Sequence, residues 1–138
     1  MVTGRKLSLR TEGFSQIVNI TPQVVELVEG SDITSGILSV YAIGSTASIT
    51  TMEFEPALVK DMQKKLEELF SQHQRSFHSE TWGDDNGFSH MRASFIGPSI
   101  TIPVVDGHAL LGTWQQVVVI DHDNRRRSRE VYLQLVGE

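Results

Sequence analysis

Residues 115–136 read QQVVVIDHDNRRRSREVYLQLV. Two runs rich in β-branched and aromatic residues, QQVVVID and REVYLQLV, flank a polar, basic stretch with a turn signal at Asp123-Asn124, a pattern that predicts an antiparallel hairpin. Working back toward the N-terminus, the segment from Met91 to Gln115 alternates extended runs with turn signals at Gly97-Pro98 and Asp106-Gly107. The last third of the chain therefore reads as a meander of about four strands.

Further out, PALVKDMQKKLEELF from Pro56 places Leu58, Met62, Leu66, Leu69 and Phe70 at helical intervals, with lysines and glutamates outside the stripe. This is an amphipathic helix lying on an apolar surface. Before it, GILSVYAIGSTASITTME from Gly36 reads as a strand, an interruption at Gly44-Ser45 and a second extended piece. TPQVVELVEG predicts a short helix with Thr21 as N-cap, Pro22 at the first helical position and Gly30 at its end. The opening RKLSLR and QIVNI read as another hairpin. The order is two strands, helix, two strands, helix and about four strands: a single α+β domain over residues 1–138, mainly antiparallel, with two helices. Residues 71–90 form a polar segment too long for a simple turn, the kind of loop that often carries function.

Composition narrows the function classes. A chain of 138 residues with 39% hydrophobic and 21% charged residues is that of a folded globular domain. Its net charge of -5 argues against a general nucleic-acid partner, whose affinity would rest on Lys and Arg. Without cysteine there are no disulfides and no thiolate metal ligands. No apolar run approaches the length of a membrane span, and MVTGRKLSLR lacks the apolar segment of a signal peptide, so the expected location is the cytoplasm, with no membrane partner.

Four stretches can carry chemistry. In HSETWGDDNGFSH, residues 78–90, His78 and His90 are twelve apart and meet only if the segment folds back or bridges subunits; Glu80, Asp84, Asp85 and Glu53 are further candidate ligands for a metal. The plain alternative is that these residues cap turns and a strand start. GSTAS, residues 44–48, offers Ser45, Thr46 and Ser48 hydroxyls and backbone N–H groups to a phosphate or carboxylate, or is simply a turn. In NRRRSRE, strand alternation puts Arg127 and Arg129 on one face and Arg126 on the other, either as an anion clamp or as solvated edge charge. In GTWQQ, Trp114 and Gln115 can line a pocket or close the core.

The order of STAS after a strand, EP opening the amphipathic helix, SHMRASFIGPSITIPVVDG, GTWQ, an arginine cluster and a terminal GE resembles the YjbQ family, described as secondary thiamine-phosphate synthases. The likeness spans essentially the whole chain and is most specific from His90 to Gln115, as H-x-x-x-S-x-x-G-x-S and G-x-x-x-L-G-T-W-Q. It implies a compact α+β domain with a β-sandwich or barrel-like sheet, a homotrimer, and a divalent metal such as zinc near the family's histidines. His78 and His90 match histidine positions, Arg92, Trp114 and Gln115 fall on or near motif positions, and Arg127 lies in the matching basic turn. In one respect the chain departs from the family: Gly44 stands where HTTA or HTSAS would place a third histidine.

The expectation is thus a pocket for a small anionic or phosphorylated ligand. His78 and His90 would bind metal or act as acid and base, Arg92 and Arg127 would hold the anion, Ser45, Thr46 and Ser48 would add hydrogen bonds, and Trp114 and Gln115 would complete the wall. If the implied activity holds, a pyrimidine diphosphate is joined to a thiazole phosphate and cationic groups stabilise the departing pyrophosphate. The alternatives are a non-catalytic trimer that binds a metal or metabolite, and a trimer whose role is structural.

Overall fold

A computed structural model describes all 138 residues. The elements are β1 (Val2–Thr11), β2 (Gln16–Asn19), α1 (Thr21–Glu29), β3 (Gly36–Ile43), β4 (Ala47–Met52), α2 (Pro56–Leu69), α3 (Phe77–Trp82), α4 (Gly87–Ile96), β5 (Ser99–Val105), β6 (His108–Ala109), β7 (Gln116–Asp121) and β8 (Arg127–Gly137). They form two antiparallel sheets, one of five strands in the order β1-β8-β3-β5-β6 and one of three in the order β2-β7-β4. No helix is long and apolar enough to cross a membrane.

Both expected terminal hairpins are overturned. β7 pairs with β2 and β4, while β8 pairs with β1 and β3, so QQVVVID and REVYLQLV lie in different sheets. RKLSLR and QIVNI are likewise separated, in β1 and β2. The reason is in the side-chain pattern. Val117 to Asp121 are buried without alternation, as in a strand covered on both faces, whereas β8 alternates buried and exposed positions, as in a strand covered on one. A tight hairpin would have placed these two patterns in one sheet.

The covering layers explain the difference. Val117 and Val119 face Leu38, Val40, Leu133 and Leu135 of the large sheet, with Val24 and Val28 of α1 in the same core. Val118 and Ile120 face the opposite way, onto Val59 and Met62 of α2 and Ile96 of α4. The small sheet is the middle layer between the large sheet and the two helices. Leu133 is fully buried, so Leu133→Ala is expected to cost about 2–5 kcal/mol, read as a lower urea midpoint at unchanged slope.

The helices number four rather than two. α3 and α4 occupy the segment expected to be a loop and the start of the meander. The buried face of α4, Phe88, Ser89, Arg92, Ala93 and Ile96, has helical spacing, but two of these five are polar and hide the apolar period. α2 begins at Pro56 as expected, and the Glu55 carboxylate accepts from the N–H groups of Ala57 and Leu58 at 2.9 and 2.8 Å. Thr21 is not a cap: it is the first helical residue of α1, and its hydroxyl accepts from Val117 N–H at 2.8 Å.

Three connections cross between the sheets at one end of the sandwich: residues 12–15 between β1 and β2, 44–46 between β3 and β4, and 122–126 between β7 and β8. They touch one another, with Phe14 N–H donating to Asp123 O at 2.7 Å and His122 N–H to Thr46 O at 2.9 Å. Gly13, Phe14 and Ser15 all have positive φ, the backbone needed for so sharp a corner.

Candidate functional site

Where these corners meet, Asp121, His122 and Asp123 follow the apolar run of β7 and are all fully buried. Three consecutive buried polar side chains require partners, and each has them. Asp121 accepts from Thr11 Oγ1 through one oxygen and from Arg129 Nη2 at 2.6 Å through the other. Asp123 accepts from Arg127 Nε at 2.6 Å, Asn124 N–H at 2.8 Å and Thr46 Oγ1 at 3.3 Å. Burial pushes the Asp123 carboxyl up, but the Asn124 N–H, Arg127 and Asn86 outweigh it and hold the group below the usual carboxylate range.

His122 points the other way. Its Nδ1 lies 2.7 Å from Ser15 Oγ and its Nε2 2.8 Å from Ser48 Oγ. Burial, and then the positive field of Arg92, lower its pKa to about 3, so the ring is neutral and one nitrogen donates while the other accepts. Arg92 donates to Ser15 Oγ at 2.9 Å, to Glu67 at 2.7 Å and to Phe70 O. A continuous polar chain thus runs from α2 through α4 to the corner and on to β4.

A cavity of about 530 Å³ opens beside this network, with Trp82 its only apolar wall. The Gly44-Ser45-Thr46 corner forms one side, Arg127 and Arg129 another, and His78, Asp84, Asn86 and His90 the third. His78 comes from α3 and His90 from α4, with ring centroids 4.6 Å apart and planes inclined by 60°. Gly87 permits this approach, because a Cβ there would stand 2.3 Å from Ser76 Oγ, the N-cap of α3. The Asn86 amide donates to Asp123 Oδ1 at 3.3 Å; turned over, it gives up that bond and donates instead to His78 Nε2 at 3.1 Å and to Asp84 at 3.0 Å.

Of the nine residues given a role in the expected pocket, five come together on the cavity wall, Ser45, Thr46, His78, His90 and Arg127, and Asp84 and Arg129 join them there. Four do not. Arg92, expected to contact the ligand, is 2% exposed and clamps α4 to α2 instead. Ser48 is fully buried and spent on His122. Gln115 bonds Gly112 N–H and Thr51 Oγ1, and Trp114 is 72% exposed; neither lines the cavity. Arg127 and Arg129 share a face, as strand alternation requires, and Arg126 points elsewhere. Missed from the sequence were Asp121, His122, Asp123 and Asn86. For the first three a signal was available, since DHD directly after VVVI sets polar residues where a buried strand ends; Asn86 had none.

The residues present do not make a zinc site. No three His, Asp or Glu side chains of the chain converge, and such a site takes three or four protein ligands. His78 and His90 stand together, but Gly44 brings no side chain to them.

Among known proteins, the chain matches the family model described as UPF0047 protein YjbQ-like over residues 5–138. The chain belongs to the YjbQ/UPF0047 family. A UPF0047 protein of Methanocaldococcus jannaschii is 32% identical over 134 residues, 96% of this chain and 94% of that one. The YugU protein of Bacillus subtilis is 30% identical, covering 96% and 98% of the two chains. Among solved structures, a hypothetical protein from Aeropyrum pernix K1 superimposes with a TM-score of 0.91 at 32% identity over 99% of each chain. A protein of unknown function from Sulfolobus solfataricus P2 gives 0.88 at 30% identity over the full length of both. The α+β architecture is therefore that of the YjbQ family over the whole chain, and these relatives carry descriptions that name no reaction.

Proposed function

We propose that the cavity binds a small phosphorylated ligand and that His78 and His90 serve as its acid and base. The observation that carries this reading is the convergence of two arginines, two touching imidazoles and the Ser45–Thr46 corner on one polar concavity. Arg127 spends Nε on Asp123, which fixes the guanidinium and leaves its Nη groups for a ligand. Counting formal charges, Arg127 and Arg129 oppose Asp84, Asp121 and Asp123, a net of -1 with both imidazoles neutral and +1 with both protonated.

Titration calorimetry should detect pyrophosphate binding, and Arg127→Ala should weaken it about 10- to 100-fold. Binding indifferent to Arg127→Ala, or none, would remove the reading. The thiamine-phosphate condensation implied by the family likeness is one reaction this site would suit, since pyrophosphate is the group that leaves. Complementation of a thiamine auxotroph, lost in His90→Ala, supports catalysis; pyrophosphate binding with no turnover supports the non-catalytic binder.

The proposal includes a homotrimer and a cytoplasmic protein. Ile37, Tyr41, Tyr132 and Val136 form an exposed apolar strip on the outer face of the large sheet, a surface suited to self-association. Light scattering on wild type and His90→Ala would show whether the assembly is trimeric and unchanged by the substitution.

A further inference from the structure

We propose that the anion seat works without a metal and is centred on Arg129, in the space that Gly44 leaves open. This deepens the phosphate-pocket reading and rests on it. Arg129 is only 7% exposed, and a buried guanidinium ordinarily finds partners for its donors. Here Nη2 alone is engaged, by Asp121 at 2.6 Å and Thr46 Oγ1 at 2.5 Å. Nε is buried without any partner, and Nη1 makes no hydrogen bond where the group borders the cavity.

Gly44 keeps that nitrogen open. A Cβ at this position would stand 3.0 Å from Nη1, and the backbone has φ +153°, which residues with side chains rarely adopt. Any larger residue at this corner would press on the guanidinium or move it. With Asp121 and Thr46 holding one nitrogen, Nη1 is a donor fixed before ligand arrives, suited to a phosphate oxygen. A divalent cation on His78 and His90 would instead share the cavity with two guanidinium groups and lack a third ligand. Arginine charge thus stands in for metal charge at this site.

The test is pyrophosphate binding by wild type, Gly44→Ala and Arg129→Lys, each dialysed against chelator and then supplied with one equivalent of zinc. Expected are equal wild-type affinity with and without zinc, a loss of tenfold or more in Arg129→Lys, and a several-fold loss in Gly44→Ala. Arg129→Lys retains the charge facing Asp121 but not the planar fork. Gly44→Ala keeps both the Arg129 and the Asp121 side chains and adds only a methyl group beside Nη1, so it decides the matter if the lysine variant melts early. Wild-type binding that appears only with zinc, or wild-type affinity in a folded Gly44→Ala, would overturn the inference while leaving the phosphate pocket standing. Absence of pyrophosphate binding under both conditions would overturn the pocket itself, and this inference with it.

Discussion

Lowering the pH from about 6.5 to 3 should remove on the order of 4 kcal/mol of folding stability through His122 alone. In the fold its pKa is depressed from 6.5 to about 3, because burial and the nearby Arg92 disfavour the imidazolium. The unfolded chain has no such restraint and takes up the proton near the ordinary value. Between the two values the unfolded state binds more protons than the native one, so stability rises with pH across this window, is complete above it, and is lost as pH falls toward the folded value. The slope approaches about 1.4 kcal/mol per pH unit. Asp123 adds a contribution of the same sign lower down: its carboxyl is held below the ordinary range, so its stabilisation is present above that range and disappears as the group protonates. Urea midpoints at intervals from pH 7 to 4 measure the slope. His122→Asn, which cannot titrate but keeps a donor and an acceptor, should flatten the profile while being less stable at pH 7. An unchanged profile in that variant would show that other groups govern acid sensitivity.

Asp121→Ala should destabilise the protein by about 3–5 kcal/mol, the range for breaking a buried ion pair from one side. Asp121 is fully buried, and without it Arg129 would keep the neutral Thr46 hydroxyl and, as its only carboxylate, Asp123, whose nearest oxygen is 3.9 Å away and already committed to Arg127. Thr11 Oγ1 would lose its bond to Asp121 as well. The double variant Asp121→Ala with Arg129→Met removes both charges and should be less destabilised than the single one, because no charge is then stranded. Chemical denaturation of the wild type, the two single variants Asp121→Ala and Arg129→Met, and the double variant settles the sign of the coupling. A double variant that loses the sum of both single losses would indicate that shape, not charge, holds this corner.

Much of the architecture could be read before any coordinates. The stripe of Leu58, Met62 and Leu66 places α2 correctly, and the antiparallel class follows from the β-rich runs. Strand pairing could not be read in the same way, because proximity in sequence favours a hairpin while burial on both faces favours separate sheets. Here VVVI outweighed the nearby turn. The site divides along a similar line. His78, His90, Ser45, Thr46 and Arg127 stood out as polar groups in segments without an apolar pattern, and the cavity wall includes all five. Ser48, marked by its hydroxyl, and Arg92, marked by the family likeness, serve burial instead, since sequence alone does not distinguish an arginine facing a ligand from one clamped between helices.

The three adjoining corners give the cavity a property of their own. Part of its wall is backbone that passes between two sheets, so the spacing of the sheets sets how far Thr46, which leads into β4, stands from Arg127 and Arg129 on β8. The sandwich core acts as a ruler for the site. A change of volume deep between the sheets, at Leu133 or Val119, would alter the distance between Thr46 and the two arginines of β8. For the proposed anion site this means tuning from within: core residues that never approach a ligand would help to decide how large an anion fits.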